Sequence, residues 1–252
     1  MISAGMLTCT GGAMAQVEAP AKADGEEKKR EKLLMPALDK AWQGEDYITF
    51  VNKLTQKGKD PVMLTFFYMS ADKGVYIKKL TNAENLTHIS DKDIPIQDRM
   101  KSFAAMTAAM ATTQTLIGKV GDKEKKLYVS ENIAVDSFEL RLSTKGVSLM
   151  DEVIKKFIND KNKEKLPSLR QNQRLCVIRL RQILRREWKH NTPNDINVLL
   201  DAIHASLPEV VKVMTAEEKK GCLEKLLITK HGVELTEAQK KKVEEIEKLL
   251  KE

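Results

Sequence analysis

The sequence predicts an α+β fold that is predominantly helical, with helices and a small sheet in an N-terminal region followed by a C-terminal helical bundle. Three observations carry that expectation. Runs with strand-like composition or apolar alternation occur only before residue 144, around 62–69 and 127–142. After Gly146 the apolar residues recur at three- and four-residue spacing, the period that lines one side of a helix. Capping pairs then punctuate this half, with Thr192 before Pro193 and Asp195, Thr215 before Glu218, and Thr236 before Gln239. Each threonine can accept from the free N–H groups at a helix start.

Residues 1–15 carry no charge and end in Ala13-Met14-Ala15 ahead of Gln16, the small-x-small pattern of a secretory cleavage site. The basic start of a complete signal peptide is missing, since the first basic residue is Lys22. The expectation is an exported protein, periplasmic or secreted; the alternative is an unstructured start rich in Ala, Gly and Thr. Residues 16–26, with Pro20 and Gly25, read as a flexible leader, and 27–38 as helix-like until Pro36. A mixed α/β region is expected over 27–143 and a helical bundle over 144–252. Trp42, Tyr47, Phe50, Val51 and Leu54 fall at helical spacing, with Lys57-Gly58 as the stop. Residues 62–69 are rich in aromatic and β-favouring types between Asp60-Pro61 and Ser70, which reads as a buried strand.

From Trp42 through Tyr47, Lys59-Asp60-Pro61-Val62, Phe66 and Ser70 to Gly74 and Ile77-Lys78-Lys79-Leu80, the chain resembles the opening of an exported thioredoxin-like domain. The resemblance implies a helix, a buried strand, a loop with two cysteines and a second helix. Lys73 and Tyr76 stand at the cysteine positions, and without a thiolate there is no disulfide exchange. The later proline-containing strand junction of that family has no match. The residues equally allow a hairpin of 62–69 with 75–80 across Asp72-Lys73-Gly74, and both readings stand.

Pro95 opens a helix over 96–117 with Met100, Phe103, Met106, Met110 and Ile117 on one broad face before Gly118. Core filling is the commoner use of such a methionine stripe, a binding groove the rarer. Leu127, Val129, Phe138, Leu140 and Leu142 alternate around Ser130-Glu131-Asn132, predicting a second hairpin or pair of strands. Helices follow over 149–158, over 169–189, from Pro193, from Thr215 to His231-Gly232, and from Thr236, the last with Val243, Ile246, Leu249 and Leu250 on one side.

The net charge of +7 is concentrated: residues 155–190 hold twelve Lys and Arg against Asp160, Glu164 and Glu187. Such a block attracts polyanions. On a 169–189 helix turning about 100° per residue, Leu169, Cys176, Val177, Leu180, Ile183 and Leu184 form an apolar face. Arg170, Arg174, Arg181 and Arg185 form a separate strip that Lys189 continues. Arginine suits this role because its planar fork grips phosphate, sulfate or carboxylate at two points. The expected partner is an anionic polymer or surface, acidic glycan first, then envelope lipid headgroups or nucleic acid. The plainer account is a solvated face paired with acids elsewhere. Trp188 is the only aromatic nearby, so stacking of single-stranded bases is not supported.

Catalytic signatures are sparse: there is no G-x-S-x-G, H-E-x-x-H or phosphate-cradling glycine loop. His88, His190, His204 and His231 lack ligand spacing, so neither metal nor cofactor is expected. Ser70 and Lys73 satisfy S-x-x-K without the supporting S-D-N and K-T-G elements. Asp136-Ser137 is followed by Phe138 and not by the glycine of an aspartic peptidase. An extracellular hydrolase of host or envelope polymers, using Ser70–Lys73 or a carboxylate pair assembled by folding, is the competing class. Cleavage would remove Cys9 and leave Cys176 and Cys222, too few for a disulfide scaffold. They read as separate core residues, with pairing as the other option. No transmembrane segment is expected, because no run approaches the ~18–20 apolar residues that span a bilayer.

Overall fold

The first helix, α1, spans Gly44–Thr55 in the computed structural model, which describes residues 39–55, 73–121 and 128–252. It is followed by α2 (Lys73–Leu80), a 3₁₀ turn (Ala83–Leu86) and α3 (Thr87–Ser90). Two long helices come next, α4 (Ile96–Gly121) and α5 (Tyr128–Phe157). The chain then forms α6 (Leu166–Gln173), α7 (Leu175–Leu184), α8 (Pro193–Val210), α9 (Ala216–His231) and α10 (Glu237–Lys251). No strand occurs among the described residues.

The α+β expectation is therefore overturned: the regular structure of the described residues is all helical. Residues 75–80, one arm of the expected hairpin, belong to α2, and 128–142 form the first half of α5. The expected strand 62–69 lies outside the described residues. So do Ser70 and the segment Lys59 to Phe66 on which the thioredoxin-like resemblance leans, as well as the expected leader, cleavage site and helix-like stretch of residues 1–38.

The departure from strand over 127–142 has a physical cause. Ile133, Leu140 and Val147 pack into one hydrophobic core, and Val135, Phe138, Leu142 and Leu149 into another. At about 100° per residue the two sets point to opposite sides of α5. Superimposed along the sequence, 133, 135, 138, 140 and 142 imitate the alternation of a half-buried strand. A helix apolar on two sides is a central helix. Gly146 is not a boundary; it lets α5 approach α4, since a Cβ there would stand 2.7 Å from Cε2 and Cζ of Phe103. The helix runs unbroken through residues 143 and 144.

The first core joins α1, α2 and α4 to α5. Trp42, Tyr47 and Phe50 are fully buried in it, with Trp42 edge-on to Tyr47 at 5.6 Å and tilted against Phe50 at 5.5 Å. The Trp42 backbone N–H donates to Asn85 Oδ1 at 3.0 Å, and the buried Tyr47 hydroxyl donates to the Leu80 carbonyl at 3.1 Å. Phe103, Met106, Met110 and Ile117 are buried along α4. The methionine stripe is thus core filling. At one end Arg99 Nη2 of α4 donates to both oxygens of Glu152 on α5 at 2.8 Å.

The second core joins α7, α8, α9 and α10 to the other side of α5. Three of its helices, α8, α9 and α10, start as their sequences predict. Thr192, Thr215 and Thr236 each form a complete capping box, with Asp195, Glu218 and Gln239 respectively. Val243, Ile246 and Leu250 are buried along α10. Cys176 and Cys222 are both free and buried. The described residues belong to one compact unit. No described helix is long and apolar enough to cross a membrane.

Candidate functional site

The segment that reads as one helix over 169–189 is broken. Arg174 closes α6 and opens α7 with φ −81° and ψ −4°, too shallow for the α-helical ladder. α7 ends at Leu184, and Lys189 lies in the turn beyond it. The five basic residues of the expected strip therefore do not share one helical face, and the structure gives them different surroundings.

Arg170 donates to Gln173 Oε1 at 2.8 Å and pairs with Asp151 at 3.4 Å. Arg174 pairs with Glu218 at 2.6 Å and donates to the Val213 carbonyl at 3.2 Å. Lys189 pairs with Glu187 at 2.8 Å. These three are engaged within the molecule. Arg181 and Arg185 are exposed and their side chains have no ion-pair or hydrogen-bond partner among the described residues.

Arg181 and Arg185 form one wall of an open cleft between α7 and α9, with a volume of about 610 Å³. That lies within the ~300–1,000 Å³ typical of ligand sites. Lys220 and Lys225 of α9 line the cleft too, together with Glu217, Glu218 and Glu224. Glu218 is already neutralised: burial pushes its carboxyl up, but the Thr215 N–H and the Arg174 guanidinium outweigh that and hold it below the usual glutamate range. Leu184, Gly221 and Cys222 supply small uncharged surface. Burial pushes the Cys222 thiol up to about 11 despite the nearby Arg181 and Arg185 charges; Cys176, pushed by burial to about 12, is likewise protonated at neutral pH. Neither is an activated nucleophile.

The other side of α7 carries a second constellation that the sequence does not announce. Arg179 Nε lies 3.2 Å from Glu139 Oε2 and Arg186 Nε lies 2.7 Å from Asp136 Oδ2. Gln114 on α4 donates from one amide nitrogen to Asp136 Oδ1 at 3.0 Å and to Glu139 Oε2 at 2.6 Å. Ser137 Oγ and Glu139 Oε1 are buried without a hydrogen-bond partner among the described residues. Burial pushes Glu139 up to about 7, which Arg179 opposes and Asp136 reinforces; Asp136 is raised by burial against the pull of Arg186. Read as strand residues, positions 136 and 139 face opposite ways, whereas on a helix they are neighbours. The pair becomes visible only once 128–142 is known to be helical.

A carboxyl with a value near neutrality is what a general acid needs, but a substrate must also reach it. The void beside Glu139, bounded by Phe103, Thr107, Ser143 and Arg179, measures about 10 Å³, room for about one water. The constellation is a buried polar clasp holding α4, α5 and α7 together. Among the described residues no group of three or more His, Cys, Asp or Glu could hold a metal ion.

No protein-family profile, curated protein or solved structure matches this chain.

Proposed function

We propose that the protein is a non-catalytic binding protein, exported to the periplasm or the medium, that engages an acidic glycan through the cleft between α7 and α9. The observation that carries this reading is the contrast along one segment. Arg170, Arg174, Arg179 and Arg186 are each paired with an acid of the same chain, whereas Arg181 and Arg185 face open solvent in a cleft that also holds Lys220 and Lys225. Cations without an ion-pair partner among the described residues, gathered in a concavity, attract anions even with Glu217 and Glu224 beside them.

The mixed lining favours a glycan over a phosphate polymer. Guanidinium and ammonium groups meet sulfate or carboxylate, while Glu217 and Glu224 can accept from sugar hydroxyls. No aromatic side chain among the described residues lines the cleft, so bases would gain no stacking from them there. The hydrolase reading is weaker: Asp136 and Glu139, whose carboxyls are raised, are buried where no polymer reaches them, and of the glutamates lining the open cleft Glu218 is held charged by the Thr215 N–H and Arg174. Ser70, the other hydrolase candidate, lies outside the described residues.

The test is binding of the chain from Gln16 onward to acidic glycans, anionic vesicles and nucleic acid at two salt concentrations. The native chain should bind a sulfated or carboxylated glycan, more weakly at high salt, and Arg181→Gln with Arg185→Gln should lower affinity at least tenfold without changing the melting temperature. Arg174→Gln should do the reverse, costing stability and sparing affinity. Salt-insensitive binding, a preference for nucleic acid or vesicles, or indifference to the Arg181 and Arg185 changes refutes the proposal.

A further inference from the structure

Gly221 sits inside a sixteen-residue helix, where glycine is among the worst residues because it costs backbone entropy and packs nothing. The usual structural excuse, a close neighbour, is missing. A Cβ built at Gly221 meets no atom within 4 Å, in contrast to Gly146, where it would strike Phe103. Nor is a special backbone needed at Gly221, since it lies within continuous α-helix. The fold would accept alanine at this position and be more stable for it.

Its place in the cleft supplies a reason. At about 100° per residue, the cleft-facing residues of α9 spread over an arc with Gly221 at its middle. Lys220 lies to one side of that arc and Lys225 to the other. The bare position thus lies between cations on its own helix and across from Arg181 on α7 and Arg185 at its C-cap. Any side chain there would project into the space the cleft encloses. A single tetrahedral anion held by the two arginines has no use for that space. A ligand with a ring between its charged groups does, because a pyranose ring can lay its C–H face against the exposed Cα while its substituents reach outward.

We infer that Gly221 is a specificity-determining position, the seat on which a sugar ring of an acidic oligosaccharide rests while its anionic groups meet Arg181 of α7, Arg185 at its C-cap, and Lys220 and Lys225 of α9. The inference rests on the binding reading given above for the same cleft.

A heparin-derived tetrasaccharide, titrated calorimetrically into the native chain, Gly221→Ala, Gly221→Leu and the Arg181→Gln/Arg185→Gln double variant, tests it. Inorganic sulfate is titrated in parallel. Gly221→Ala should melt at a higher temperature than the native chain and yet bind the tetrasaccharide about tenfold more weakly. Gly221→Leu should weaken binding further, and both should leave sulfate binding unchanged. The combination of a stability gain with an affinity loss is one that mere damage to the helix cannot give. If the arginine variant loses tetrasaccharide affinity while both Gly221 variants bind as the native chain does, Gly221 is not the seat and the cleft reading survives. Equal loss of sulfate and tetrasaccharide in the Gly221 variants also overturns the seat. If the native chain fails to bind the tetrasaccharide, or the arginine variant binds it undiminished, the cleft reading falls and this inference falls with it.

Discussion

Glu139 should make the protein lose stability as the pH rises toward neutrality, opposite to the trend set by ordinary paired carboxylates. Its native carboxyl holds a proton up to about 7, against 4.5 for an unperturbed glutamate. Between those values the unfolded chain has released a proton that the native one still binds, so raising the pH favours unfolding. The contribution is fully present below pH 4.5 and gone above pH 7. At ~1.4 kcal/mol for each pH unit separating the two states, the loss is about 3 kcal/mol. The side chain is only 3% exposed, so solvent does little to screen it. Asp136, one turn away and raised in the same direction, titrates together with it, and the native curve reports the pair. Glu139→Gln keeps the shape and removes the titration. Urea unfolding followed by helical circular dichroism at half-unit steps from pH 4.5 to 8 gives both curves. The two proteins should agree within about 1 kcal/mol at pH 4.5, and the native chain should then fall about 3 kcal/mol relative to the variant by pH 8. Parallel curves would refute the reasoning, for they would mean that Glu139 is already charged in the native state and that the clasp is an ordinary ion-pair network.

Two further expectations concern the frame around the cleft. Gly146→Ala drives a methyl group against the Phe103 ring, which is buried in the first core; overpacking costs about 1–3 kcal/mol and the helix-propensity gain returns up to ~1. The variant should therefore unfold at lower urea, and Phe103→Leu in the same chain should remove most of that loss, whereas additive losses would disprove the contact. Thr192→Ala removes the acceptor for the Asp195 N–H at 3.2 Å and should cost about 1 kcal/mol. Thr192→Ser, which keeps the oxygen, should restore most of it in the same denaturation assay.

Legibility in the sequence follows how local each signal is. The capping boxes at Thr192, Thr215 and Thr236 need only four residues each, and the residue types alone reveal all three. The broad face of α4 is equally plain because Met100, Phe103, Met106, Met110 and Ile117 serve a single core, with Met100 partly buried and the others fully so. α5 misleads because it serves two, and a pattern with two phases has no single period. The cleft is half legible. The charge excess of 155–190 marks the right neighbourhood, but which arginines are free depends on Asp151, Glu218, Glu139 and Asp136, acids brought from other helices by folding. The break at Arg174 carries no glycine or proline to announce it. Lys220, Lys225 and Gly221 send no signal of their own, since in the sequence of α9 only the cap and the stop stand out.

The shared use of α5 by both cores has a consequence for how the chain can be divided. Ile133, Leu140 and Val147 anchor the C-terminal helices, yet they are interleaved in sequence with Val135, Phe138, Leu142 and Leu149, which anchor the N-terminal ones. Cutting the polypeptide anywhere along this span leaves each fragment without part of its own interior and with apolar surface exposed. Neither half is then a self-sufficient folding unit. Two such fragments are complementary, however, because each carries the stretch of helix that the other lacks. A split placed between 142 and 147 turns the protein into a pair of chains that regain structure only on meeting, and it ties the state of the cleft, far along the sequence, to the presence of the N-terminal piece.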